Sequence, residues 1–232
     1  MADRVVAGCK ARRSNEREGG GDSRPEGDRP NSIRRDVDSL KRQRVLDEAR
    51  RLFFALGYHS ATMEAIADAV GMGKPFLYRH FRNKLELLVA LYDHAIAMSE
   101  DALDRALAAR LDADETIRMF VRNYLAVVVT HREIVAIFFR ESLNVPPEKL
   151  REINRHKAAF DRKLTAVIRD GVKVGSFHVT DARVAAFAVV GMVNWCYQWY
   201  RETGPSTPAE LGEMFADFAL GILKNRRMDR TT

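Results

Sequence analysis

Thr62-Met-Glu-Ala-Ile-Ala-Asp-Ala-Val-Gly-Met-Gly-Lys-Pro-Phe-Leu-Tyr-Arg-His-Phe81 decides how the rest of this chain is read. It divides into two short helices joined by a tight turn. Ile66, Ala67 and Val70 recur at spacings of one, three and four, placing them on one face of a first helix. Gly71 stands where a helix ends in the left-handed conformation that glycine adopts cheaply. Met72 is the one apolar residue of the turn and fits the angle between the helices. The second helix is about two turns long, with Leu77 and Phe81 as its buried pair four apart. Its other face holds Lys74, Phe76, Tyr78, Arg79 and His80, too basic and too rich in hydrogen-bonding groups for a core. Two helices set steeply across such a turn make a helix-turn-helix, whose second helix fits the DNA major groove.

The same residues resemble the DNA-binding signature of the tetracycline-repressor (TetR) family. The matching positions are Thr62, Ile66-Ala67, Gly71, Leu77-Tyr78-Arg79-His80-Phe81 and Asn83-Lys84. The chain departs at Gly73, where a helix-capping Ser is common in the family, and at Pro75-Phe76, where Gly-Thr is common. Glycine remains an acceptable cap and proline belongs in a first helical turn. Phe76 in a groove-facing slot can touch a thymine methyl but donates no hydrogen bond. The resemblance implies an all-α, homodimeric, ligand-responsive transcription regulator, a repressor that binds a palindromic double-stranded operator. The DNA-contacting residues it implies are Thr62, Lys74, Pro75, Phe76, Tyr78, Arg79, His80 and Lys84. Lys74 is the expected base contact; Thr62, Tyr78, His80 and Lys84 match phosphate-touching positions, and Arg79 can reach either.

Charge supports this reading independently. Residues 1–84 hold 18 Lys+Arg against 12 Asp+Glu, and residues 85–232 hold 20 against 20. The whole excess of +6 therefore lies in and before the helix-turn-helix, as expected of a nucleic-acid binder with a neutral companion domain. With 46% apolar residues in 232, the chain can bury one large core or two modest ones. Cys9 and Cys196 lie in a tail and in an apolar helix, an arrangement that argues against a disulfide framework and suits a cytoplasmic protein. Val6-Ala7-Gly8-Cys9 resembles a lipoprotein box but lacks the apolar stretch that must precede one.

Residues 1–36 are rich in Gly, Arg, Asp, Pro and Ser without periodicity, and read as a disordered basic arm or as sequence upstream of the natural start. The expected domains are this arm, a helix-turn-helix domain over 37–83, a helical ligand-binding and dimerisation domain over 84–226, and a tail over 227–232. A first helix over about 38–56 completes a three-helix core through Val45, Leu46, Ala49, Leu52, Phe53 and Leu56. Asn83 or Lys84 opens a helix to about 109 that joins the two domains. Further helices are expected over about 113–130, 132–143, 148–174, 181–202 and 208–225. Their start signals include Asp112-Ala-Asp-Glu115 and Thr207-Pro208-Ala-Glu210. No strand alternation appears beyond a short loop over 175–180.

From Val184 to Tyr200 the only polar side chains are Asn194 and Gln198. A helix apolar nearly all round is either buried on every side or spans a membrane. At 17 residues between Arg183 and Arg201 it sits at the short limit for spanning, so burial against a second subunit is the better account. The helices over 181–202 and 208–225 then supply the four-helix seam usual in TetR-like dimers.

Phe120, Tyr124, Phe138, Phe160, Phe187 and Trp195 are the expected lining of an internal ligand cavity for a small apolar or amphipathic effector; ordinary core packing is the alternative for each. The stretch Trp195, Trp199-Tyr200-Arg201, Gly204-Pro205 and Thr207-Pro208 looks like the subset of repressors of fatty-acid and sterol catabolism that sense acyl-CoA. Arg201 would then face CoA phosphates, or else sit in a dimer rim. Enzymatic readings fail on the residues. Gly73-Lys74 has Asp68 at the first P-loop glycine and Pro75 in place of Ser/Thr. The six histidines form no metal-binding pair within one helix, and no catalytic motif or cofactor site appears. The rival reading is a small-molecule-binding or enzymatic helical protein with an incidental basic front end.

Overall fold

A computed structural model of the chain describes residues 29–142 and 145–225, with side chains from Arg35 onward. Ten helices occupy the described residues: α1 Arg29–Leu56, α2 Met63–Val70, α3 Lys74–His80, α4 Lys84–Ala108, α5 Ala113–Thr130, α6 Arg132–Glu141, α7 Pro147–Lys173, α8 Ala182–Asn194, α9 Cys196–Trp199 and α10 Pro208–Leu223. The fold is all-α, with no strand among these residues. The chain divides into a unit up to Ser39 and a larger one from Leu40 onward; the packing described below is that of the second.

The helix ends follow their local chemistry. Thr62, Asn83, Asp112 and Thr207 each accept a hydrogen bond from the backbone N–H three residues on, which meets one of the first-turn donors a helix leaves open. At Thr207 the Glu210 side chain reaches back to complete the capping box, and Pro208 opens the helix. Asp181 caps α8, its carboxylate accepting from the N–H groups of Arg183 and Val184.

Two elements differ from expectation. α1 starts at Arg29, inside the segment assigned to an arm, so residues 29–36 are helical; residues 1–28 lie outside the described part. Pro30 is tolerated in a first turn, and extending an existing helix costs far less than nucleating one. The helix expected over 181–202 is interrupted at Trp195. There the turn tightens, with the Gln198 N–H donating to the Trp195 carbonyl at 3.1 Å. The break keeps Cys196 and Tyr200 buried while Trp195 and Trp199 face outward, 61% and 45% exposed.

Two buried clusters form, and the helices are shared between them. The first joins Val45, Ala49 and Phe53 of α1, Ile66 and Val70 of α2, Leu77 of α3, and Leu87, Leu88 and Leu91 of α4. Ile134 and Ile137 of α6 and Ile153 of α7 complete it. The second contains the far end of α4 (Leu103, Ala106), most of α5, Leu164 and Ile168 of α7, and the inner faces of α8 and α10. The 175–180 loop also enters the second core, for Phe177 and Val179 are buried and the His178 N–H bonds the Leu223 carbonyl at 2.7 Å. No helix among the described residues is long and apolar enough to cross a membrane.

Candidate nucleic-acid interface and effector cleft

α2 ends at Gly71, whose φ of 70° and ψ of 20° place it in the left-handed region; its N–H bonds the Asp68 carbonyl. The chain then enters α3 through Gly73, which offers no side-chain cap, and Pro75 occupies the first turn. Leu77 and Phe81 are buried beneath α3, so its opposite face is left outward.

The eight residues assigned to DNA gather around this turn and the start of α4. Thr62 is exposed and its Oγ1 accepts from the Ala65 N–H at 3.1 Å, leaving its own hydroxyl proton for another acceptor. Lys74, Pro75, Tyr78 and Arg79 are exposed, whereas Phe76 and His80 are half-buried. Glu64 of α2 faces both Lys74, at 3.8 Å, and the Tyr78 hydroxyl, at 3.5 Å. Phe76 packs on His80 with ring centroids 4.6 Å apart, and the Arg79 guanidinium lies over the Phe76 ring at 5.0 Å. Lys84 turns back onto the α1–α2 connection: it donates to the His59 carbonyl at 3.0 Å and lies 4.5 Å over the Tyr58 ring. Burial there pulls its ammonium below the usual lysine range, with the nearby Glu141 charge opposing.

An apolar cleft of about 130 Å³ opens between α4, α5, α6, α7 and α8. Tyr124, Phe138 and Phe160 line it. Phe120 stands behind them, stacked on Tyr124 at 5.4 Å, and belongs to the core. Phe187 and Trp195 lie elsewhere. Phe187 is 40% exposed on the outer side of α8 beneath Lys157 and Arg183, and Trp195 faces out past the break after Asn194. Arg201 donates to the Gln198 and Tyr200 carbonyls and so caps the end of α9 rather than reaching the cleft.

The polar groups of the cleft are few. The Tyr124 hydroxyl donates to Asn194 Oδ1 at 2.7 Å, and Ser99 and Lys157 stand on the wall. Burial pushes the Tyr124 phenol well above its ordinary range, with the Asn194 and Ser99 hydrogen bonds opposing. Asn194 was visible in the sequence as one of two amides in an apolar helix. Ser99, Val135, Phe139 and Lys157 carried no signal, since nothing local says which side of a helix meets a void. Among the described residues no cluster of side chains could hold a metal ion.

One element joins the two sites. α6 turns Val135, Phe138 and Phe139 to the cleft and Ile134 and Ile137 to the helix-turn-helix core. It is tied to α1 by an Arg50–Glu133 ion pair at 3.1 Å and by Arg140, which donates to the Phe54 carbonyl at 3.2 Å. Buried Glu141 accepts from the Tyr58 N–H at 3.4 Å.

A helix-turn-helix on a three-helix core, fused to a larger helical domain with a cleft, is the architecture of a DNA-binding regulator. Residues 45–91 match the family described as bacterial regulatory proteins, tetR family, and residues 110–223 match the tetracyclin repressor-like C-terminal domain. The chain belongs to the TetR family of transcriptional regulators and is not an enzyme. It is 26% identical to the transcriptional activator FasR of Mycolicibacterium smegmatis over 215 residues, 91% of this chain and 95% of that one. It is likewise 26% identical to the transcriptional repressor KstR2 of Rhodococcus jostii over 184 residues, 78% of this chain and 90% of the other. The crystal structure of AibR in complex with isovaleryl coenzyme A and operator DNA superposes with a TM-score of 0.68 at 28% identity, covering 79% of this chain and 97% of that one.

Proposed function

We propose that the protein is a homodimeric repressor that binds a palindromic operator through α3 and leaves it when a small amphipathic effector fills the cleft. The observation that carries this is the double membership of α4 and α6, each lining the cleft and each packed in the helix-turn-helix core. An effector pressing on Phe138 and Phe139 must displace α6, which is fastened to α1, or else α4, which follows α3 across the short connection 81–83. Either movement changes the separation of the two reading helices in a dimer, and by linkage DNA weakens effector binding to the same degree.

The dimer is supported by an apolar face on α8 and α10. Val184 and Phe187 on α8, Trp195 just past its end, and Met214 and Phe218 on α10 are 40–61% exposed. Such a contiguous patch marks an interaction surface, and a twofold axis through it would set two reading helices on one palindrome.

For the effector we propose a short-chain acyl-CoA. A cleft of about 130 Å³ is close to the roughly 150 Å³ apolar cavity that accepts a benzene-sized guest, so it suits a branched acyl group of a few carbons. Lys157 on its wall, which would have to exchange its Asp161 partner at 2.9 Å for the ligand, is the cation proposed for an anionic headgroup, and AibR supplies the precedent of isovaleryl-CoA.

The test is selection of duplexes from a random library by the purified protein, followed by titration of the bound duplex with isovaleryl-CoA. A palindromic consensus and release of the duplex are expected. Lys74→Ala should lose about tenfold at a guanine-containing position, the lower part of the range for one base contact. Recovery of no preferred sequence would refute the regulator reading, and failure of isovaleryl-CoA alone would refute only the effector class.

A further inference from the structure

We infer that Lys41 of α1 is an additional DNA-backbone contact, presented at the edge of α3 by the ring of Phe76. This rests on the proposed DNA-binding role and extends it to an element and a residue outside the reading pair. Phe76 occupies the slot where the chain departs from its family, and a ring there can give DNA no hydrogen bond. The structure gives the ring another task. Its half-buried side chain gathers three basic groups: Lys41 Nζ at 5.6 Å from the ring centroid, the Arg79 guanidinium at 5.0 Å, and the His80 ring at 4.6 Å.

A carboxylate holding a lysine in place would also cancel its charge, as Glu64 partly does for Lys74. An aromatic face attracts a cation through its quadrupole and leaves the full positive charge available to a phosphate. The next residue along α1 is anchored in the same manner, with the Arg42 guanidinium 4.8 Å over the Phe81 ring. Two adjacent cation–ring contacts thus fasten one exposed turn of α1 alongside the recognition helix. The field favours a polyanion there, because residues 41–84 hold 9 Lys+Arg against 4 Asp+Glu, a balance of +5. A side chain held in advance also loses less freedom when it meets its partner.

The experiment measures the affinity of the full-length protein for its selected duplex, and for a random-sequence duplex of the same length, from about 50 to about 200 mM salt. Lys41→Ala is expected to weaken both duplexes about threefold to tenfold and to lower the slope of log K against log salt by about 1, with base preference kept. Lys41→Arg should restore the slope. Phe76→Leu should reproduce part of the loss, and adding Lys41→Ala to it should cost clearly less than in the wild type, the non-additivity expected of a coupled pair. An unchanged slope in Lys41→Ala, or full additivity with Phe76→Leu, overturns the inference. If Lys74→Ala still alters base preference in that case, the regulator reading stands. Salt-independent binding by the wild type would overturn both.

Discussion

Gly171 shows how a single hydrogen atom can set the fit of a core. It lies buried on α7, and a Cβ built there would stand 2.2 Å from a ring carbon of Phe177. The ring is itself 1% exposed, and the Phe177 N–H is bonded to the Gly171 carbonyl, so it has little room to swing aside. Gly171→Ala should therefore cost about 1–3 kcal/mol in urea unfolding, the range for overpacking a well-filled site. Phe177→Leu in the same chain should recover part of it. Gly71 is a different case: nothing lies within 4 Å of its missing Cβ, and its demand is the positive φ alone. That demand was readable from the sequence, because a glycine closing a short amphipathic helix has a local cause. Gly171 was not, because its reason stands six residues away in a loop that carries no helical or strand periodicity.

At the scale of elements, α6 is the least readable from its own sequence and the most consequential. Its apolar run marks it as a buried helix, but not which residues face the cleft and which face α1. Those assignments depend on Arg50, Phe54 and Tyr58, some eighty residues earlier. By contrast, the turn before α3, the capped starts of α2, α4, α5 and α10, and the buried face of α2 follow from adjacent residues and were legible. The break in α8 was not. It answers to burial of Cys196 and Tyr200 in the tertiary fold, against a local pattern that favours continuing the helix.

The hinge between α5 and α6 is His131, whose imidazole is held below its ordinary 6.5 first by burial and then by His94 and Arg50, with Asp47 opposing. The sign of the pH effect follows. Below about 6.5 the unfolded chain binds this proton more readily than the folded one, so folding stability falls as the pH drops. Thermal melts from about pH 7 to about pH 5 should show this loss, and His131→Gln should make it shallower. A pH dependence unchanged in the variant would remove His131 from the explanation.

At the scale of the whole molecule, the charge and the apolar surface are kept apart. The positive excess lies toward the reading helices, and the exposed apolar stripe lies on α8 and α10. Ion pairs at the back of the stripe tie α5 to α10, Arg118 to Asp217 at 2.7 Å and Arg122 to Glu213 at 2.9 Å. They brace α10 from its own subunit, so a change on its outer face should leave the fold in place. Phe218→Arg should thus keep the helical circular dichroism signal while weakening self-association by roughly 2 kcal/mol or more, read by sedimentation equilibrium. Operator affinity should fall with it. A variant that still sediments as wild type would point the dimer seam elsewhere.

Both tryptophans of the chain, Trp195 and Trp199, stand on that outward face just after the end of α8. Indole emission shifts to the blue when water is removed from the ring, so in the proposed dimer these two rings would be an unlabelled gauge of partner docking. Serial dilution into the range where subunits separate should drift the emission maximum to the red, and the concentration at half drift would give the strength of pairing directly.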